Sequence, residues 1–182
     1  PLAMLEDPVL KAGMAASFER GRGRCDVTVA KYLPFAFELE DWGRLFPDVT
    51  VLAVQRAIPA IALSIEKMRK AHYGTINRWM SVAPPGVVRA ASEMTREEAE
   101  IGILTQVVQT AAAINGAKDS LGTDRFFEVS YEALLENPGQ VVRGITDRLG
   151  IRVSDEVDWS AFVRPPRVSS EDRSRMERYE SL

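Results

Sequence analysis

The stretch from Val49 to Ser64, Val-Thr-Val-Leu-Ala-Val-Gln-Arg-Ala-Ile-Pro-Ala-Ile-Ala-Leu-Ser, constrains this chain more than any other. An apolar run ends on Arg56, and a segment of helical period begins two or three residues later. That pattern is a strand feeding a helix, with Pro59 in the first turn, where its missing N–H costs nothing. The continuous apolar character of 49–54 predicts a strand buried on both faces, as in parallel sheets. In open α/β sheets, anions bind beyond the carboxyl ends of the strands, where helix N-termini offer free N–H groups. An arginine at that point can grip a phosphate with two nitrogens at once. Taken alone, Arg56 reads equally as an ordinary surface residue of a strand–helix turn.

The bulk properties fit one soluble α/β domain over 1–182. At 182 residues the chain can bury a real core. A net charge of −3 gives no basis for a nucleic-acid partner, so any anion site has to be local. A single cysteine, Cys25, excludes a disulfide framework and a clustered thiolate metal site, and fits a reducing, cytoplasmic setting. No apolar run is long enough to span a bilayer and no signal-peptide pattern is present, so no membrane partner is expected. The chain opens on Pro1 and goes almost directly into helical sequence, which predicts a piece of a longer protein.

Strand and helix signals alternate along the chain. Leu5 to about Arg20 reads as an amphipathic helix, closed by Gly21-Arg22-Gly23-Arg24. This Gly-x-Gly precedes a strand instead of following one, so it lacks the context of a phosphate loop. Asp26–Lys31 reads as a β-branched strand ending on a lysine, and 37–46 as a short helix. The helix after Arg56 is expected to carry Ile61, Ile65 and Met68 inward. Residues 71–93, with His72, Tyr73, Trp79, Met80 and a Pro84-Pro85-Gly86 break, read as a loop. Thr95 and Glu98 form a capping-box pattern for a long helix, with Ile101, Leu104, Val108, Ala111 and Asn115 on one face and Gly116 as its C-cap. Arg125–Val129 is a third strand, and Asn137-Pro138 opens a helix that runs to Gly150. The arginine-rich tail, with Arg173, Arg175 and Arg178 among acids, reads as a solvated helix laced by i,i+4 pairs. Strands alternating with helices define an α/β fold with a parallel sheet flanked by helices.

Most catalytic machinery is excluded. A Ser-His-Asp triad could only be built on His72, and there is no nucleophile elbow, zinc-helix pair or Walker A sequence. No ligand cluster points to a metal. Glu38 and Glu40 are available carboxylates at an undiagnostic spacing. What remains is anion binding by Lys31 and Arg56, each at an expected strand end, with Ser64 on the following helix.

Lys31, the Phe46-Pro47-Asp48 turn, Arg56 and Ser64 resemble the central part of the sulfotransferase family, bacterial type. There a strand lysine is followed by an F-P-D turn, an apolar strand, an arginine, and a serine eight residues later. Residues 126–150 are similar to that family's Y-E-D-L block, and Ser169 to Glu180 resemble its C-terminal serine and R-W-x-x-Y segment. The resemblance spans about residues 27–180. It implies a P-loop NTPase-like fold using 3′-phosphoadenosine 5′-phosphosulfate (PAPS) as sulfuryl donor, a hydroxyl or amine on a small molecule or glycan as acceptor, and no metal. It maps the 3′-phosphate ligands onto Arg56 and Ser64, the residue beside adenine onto Tyr131, and the residue near the transferred group onto Lys31. His72 is carried as a candidate base, with Glu38 and Glu40.

Three departures accompany the resemblance. Ala57-Ile58 replaces the Asp/Asn-Pro after the arginine, Leu33 stands where many members carry a histidine, and no strand–phosphosulfate loop–helix precedes Leu5. The expected N-terminal element is therefore upstream, or the domain is a catalytically inactive sulfotransferase-like binding or interaction domain.

Overall fold

The computed structural model describes residues 36–80, 94–154 and 156–182, together with Ala12, Ala16, Val27, Val29 and Lys31. Ala12 and Ala16, within the first expected helix, are helical. The rest of that helix, the Gly21–Arg24 turn and the Pro84–Gly86 break lie outside the described residues. In chain order the elements are α1 (Leu39–Leu45), β1 (Val51–Gln55), α2 (Ile58–Tyr73), α3 (Arg96–Leu121), β2 (Phe126–Ser130), α4 (Tyr131–Glu136), α5 (Pro138–Arg148), a 3₁₀ turn (Trp159–Phe162) and α6 (Ser170–Ser181).

The sheet is parallel, as expected, with Val51 opposite Phe126 and Gln55 opposite Ser130. It has two strands among the described residues. Val27, Val29 and Lys31 have no strand pairing, and Val29 is 88% exposed, so the expected strand at 26–31 is not found at those positions. A β-branched run becomes a strand only where a neighbour completes its ladder. Burial of β1 on both faces is also corrected. Phe127 and Val129 are buried, but their row partners Leu52 and Val54 on β1 are about half exposed.

Arg125 fixes how the sheet meets α1. Its Nε donates to Val49 O at 3.1 Å, and its Nη2 donates to Gly43 O at 3.0 Å and Phe46 O at 3.1 Å. One guanidinium thus satisfies the carbonyls of the turn that leads from α1 into β1. Gly43 lies where α1 meets α3, and a Cβ there would displace the end of the Leu121 side chain. Arg125→Ala is expected to cost about 2–3 kcal/mol by stranding these acceptors, read as a lowered urea midpoint with an unchanged slope.

The long helix α3 opens on the expected capping box: Thr95 Oγ1 accepts from Glu98 N, and Glu98 Oε2 accepts from Thr95 N. It does not stop at Gly116 but continues to Leu121, where Gly122 takes a positive φ of 76°. A mid-helix glycine costs about 1 kcal/mol, and burial of Ala117 just beyond it is enough to carry the helix on. Asn137 caps α5 as expected, its Oδ1 accepting from Gln140 N.

The main core lies among α2, α3 and α6, where Ala62, Ile103 and Tyr179 pack together with Ile65 and Leu104. The inward stripes match the expected apolar ones only in part, through Ile65 and Leu104. On α2 they run through Ala62, Leu63, Glu66 and Arg69, with Met68 46% exposed. On α3 they run through Ala99, Glu100, Ile103, Gln106 and Val107, with Ile101 and Val108 about half exposed.

The charged residues on those stripes are matched by the tail. Arg175 bridges Glu66 Oε2 (2.8 Å) and Glu100 Oε1 (2.7 Å), Arg178 Nε donates to Glu100 Oε2 (2.6 Å), and Tyr179 Oη donates to Glu66 Oε2 (3.0 Å). Lys70 and Arg96 supply a further cation to Glu66 and Glu100 respectively, and Lys67 pairs with Asp172 at 2.5 Å. The solvated tail with internal i,i+4 pairs is thus replaced by a helix docked on the core.

Candidate functional site

β1 and β2 run parallel in register, so the residues that follow them emerge side by side. Arg56 follows Gln55, and Tyr131 follows its register partner Ser130. The Arg56 guanidinium lies 4.6 Å from the centre of the Tyr131 ring. Stacking of this kind holds a guanidinium in place by its face while leaving its N–H edges available.

The pair stands beside two helix starts. Ala57, the N-cap of α2, offers no side-chain cap, and the first turn of α2 contains no acid. The positive end of α2 is therefore not neutralised from within its own first turn. The start of α4, by contrast, is capped: Ser130 Oγ accepts from Ala133 N at 3.1 Å. The nearest strand carboxylate, Glu128, is engaged by Gln55 Nε2 and Lys118 Nζ. The arrangement can hold an anionic group against Arg56 with a flat ring alongside.

The other expected residues are placed differently. Ser64 is half-buried in the second turn of α2. His72, expected in a loop, is the penultimate residue of α2, exposed and tilted against Tyr73. At 1.5 Å per residue it stands roughly 20 Å along the helix from Arg56, so the structure does not bring it to the Arg56–Tyr131 pair. Lys31 is exposed and outside any strand. Glu40 accepts a hydrogen bond from Ser120 Oγ at 2.9 Å, and burial raises the Glu38 carboxyl above its ordinary value, partly offset by a hydrogen bond with Trp42.

Beside the sheet, a mainly apolar cavity of about 270 Å³ lies between β2 and α5, lined by Phe127, Val129, Val141 and Ile145. Arg148 sits at its edge, its guanidinium 4.1 Å from the Phe127 ring centre. Sequence reasoning missed this cavity because its walls come from elements whose relative packing no local pattern specifies.

Among the described residues no group of three His, Cys, Asp or Glu is placed to hold a metal ion, and no helix is long and apolar enough to cross a membrane.

Beyond a parallel α/β arrangement in which Arg56 stacks on Tyr131, family comparison makes the assignment. A model of the sulfotransferase family matches residues 8–155, and the chain belongs to that family. No curated protein and no solved structure matches it. The chemistry of the family is sulfuryl transfer, and the matched span contains both strands, Arg56, Ser64 and Tyr131.

Proposed function

We propose that this chain carries the 3′-phosphoadenosine end of a PAPS donor and serves sulfuryl transfer to a hydroxyl or amine of a small-molecule or glycan acceptor. The observation that carries the reading is the stacking of Arg56 on Tyr131 at the uncapped start of α2. Arg56 offers its N–H edges to the 3′-phosphate, Ser64 is a hydroxyl donor one turn further, and Tyr131 offers a face to adenine. In-line sulfuryl transfer, like phosphoryl transfer, asks a protein mainly to position reactants and stabilise charge. The reading needs no metal and places the protein in the cytoplasm.

The test is binding of adenosine 3′,5′-bisphosphate to the full-length protein. It is expected to raise the melting temperature, with a shift that keeps growing logarithmically with ligand concentration above the dissociation constant. Arg56→Ala is expected to weaken binding by about 10- to 100-fold, the loss of a charge-assisted contact worth about 1.5–3 kcal/mol. Calorimetric titration that finds wild type and variant alike would sink the reading.

One observation favours a second reading, a sulfotransferase-like binding domain without catalysis. His72 is far from Arg56 along α2, and Lys31 lies outside any strand. Bisphosphate binding without sulfuryl transfer to any acceptor in a broad panel would select it.

A further inference from the structure

Arg69 is the largest side chain wholly enclosed among the described residues, with 1% of its surface exposed. Two of its nitrogens are used: Nη1 donates to Ile76 O at 3.1 Å, and Nη2 donates to Gln106 Oε1 at 3.0 Å. Its guanidinium also faces the Trp79 ring, 4.9 Å from the centre. None of these partners carries a negative charge. Glu66, one turn earlier on α2, is committed to Lys70, Arg175 and Tyr179. Among the described residues no carboxylate forms an ion pair with Arg69.

Two donors at this point are unmatched. Arg69 Nε and Trp79 Nε1 are both buried and have no hydrogen-bond partner among the described residues. Arginine and the indole nitrogen can only donate, so the missing partner has to be an acceptor. A buried cation without a counter-charge costs several kcal/mol, and an unmatched buried donor adds to that. An acceptor that also carries negative charge relieves both.

The surroundings are built to hold this pair in place. Gln106 is itself buried and fixed from the other side, its Nε2 donating to Met80 O at 3.2 Å. The Trp79 ring lies over Gly102 of α3, where a Cβ would stand 3.7 Å from it. The cover is the segment Gly74–Met80, pinned by single bonds such as Asn77 Nδ2 to Met94 O at 2.6 Å, without a ladder.

We propose that Arg69 and Trp79 form a second anion site, taking one oxyanion group (carboxylate, phosphate or sulfate) between the Arg69 Nε–H and the Trp79 indole N–H. It is separate from Arg56, since Arg69 lies roughly 16 Å along α2 from the start of that helix, and it does not depend on the donor reading.

The experiment is a titration of the ¹⁵N-labelled full-length protein with sodium acetate, phosphate and sulfate in turn, at constant ionic strength set by chloride. The Arg69 Nε–Hε and Trp79 indole resonances are followed together. Saturable movement of both with at least one anion is expected, and the anion that saturates lowest identifies the source chemistry. Trp79→Phe, which keeps the ring and removes the donor, is expected to raise the midpoint several-fold. Arg56→Ala is expected to leave it unchanged. Arg69→Met is expected to abolish the movement of the Trp79 indole resonance, and should it fail to fold, the Trp79→Phe comparison alone decides. Resonances unmoved by all three anions, or moved equally in Trp79→Phe, mean a structural clamp or an enclosed water, and overturn the proposal.

Discussion

Replacing Arg175 with alanine is expected to lower stability by about 3–5 kcal/mol, enough to unfold a domain of ordinary stability. The guanidinium bridges Glu66 and Glu100, and the side chains of both acids are almost wholly enclosed. Its removal leaves each carboxylate short of a counter-charge in a site that water reaches poorly. Glu100 keeps Arg96 on Oε1 and Arg178 on Oε2, and Glu66 keeps Lys70 on Oε1. The cost therefore falls mainly on Glu66 Oε2, which is left with the Tyr179 hydroxyl alone. Arg175→Lys is expected to rescue little, because a single ammonium cannot reproduce the two-sided geometry. Adding Glu66→Gln and Glu100→Gln to Arg175→Met is expected to recover much of the loss, since no buried charge then remains unpaired. Urea unfolding of the single and triple variants measures both terms, and an Arg175→Ala midpoint equal to wild type would refute the network's importance.

Acid is expected to act on the same network. Burial pushes the Glu100 carboxyl up, but hydrogen bonds from Arg175, Arg178 and Arg96 outweigh it and bring it from an ordinary 4.5 to about 2. Glu66 also ends below its ordinary value: burial raises it, and Arg175, Lys70 and Tyr179 more than reverse this. Asp172, held by Lys67 and the Ser169 backbone N–H, is lowered to about 2. A carboxyl depressed in the folded state binds fewer protons there than when unfolded, so its stabilisation is full above the unfolded value. It drains as pH falls toward the folded value. Stability is therefore expected to be flat above about pH 5 and to fall steeply from there to pH 2, with Glu100 alone contributing on the order of 3 kcal/mol. Glu100→Gln is expected to be less stable at neutral pH and to show a shallower acid slope. Urea midpoints at a series of pH values test this, and a wild-type curve flat to pH 2 would contradict it.

This network also separates the evidence of family from the evidence of fold. The sulfotransferase match ends at residue 155, before α6 begins. Yet Tyr179 of α6 sits in the main hydrophobic cluster with Ala62 and Ile103. Shortening the chain at the end of the match would expose that cluster and strand two buried acids.

Local rules succeeded wherever local physics decides. The strand ending before Arg56, Pro59 at the start of α2, the Thr95–Glu98 box and the Asn137 cap are each set by neighbours within four residues, and each is present in the structure. The site was legible to the same depth. A strand–helix junction with an arginine at Arg56 could be read directly, whereas Tyr131 came only through the family resemblance. That the two residues stack required the parallel register of β1 and β2, which brings together positions 75 residues apart in the sequence.

Apolar periodicity found only part of the inward face on both core helices, Ile65 and Leu104 but not Met68, Ile101 or Val108, for one reason. It assumes that charged and polar groups stay in water, and here Glu66, Glu100 and Gln106 are turned inward because distant groups satisfy them, while Arg69 is enclosed with its two terminal nitrogens bonded. The arginines of the tail, read as paired among themselves, are the missing partners for two of those residues. No window along α2 or α3 contains that information. The sequence alone determined the strand–helix junction at Arg56 and the starts of the helices, which are short-range matters of capping and backbone preference. Tertiary structure alone decided which helix faces are buried and that Arg56 meets Tyr131, because burial of a charge is settled by partners that only folding brings within reach.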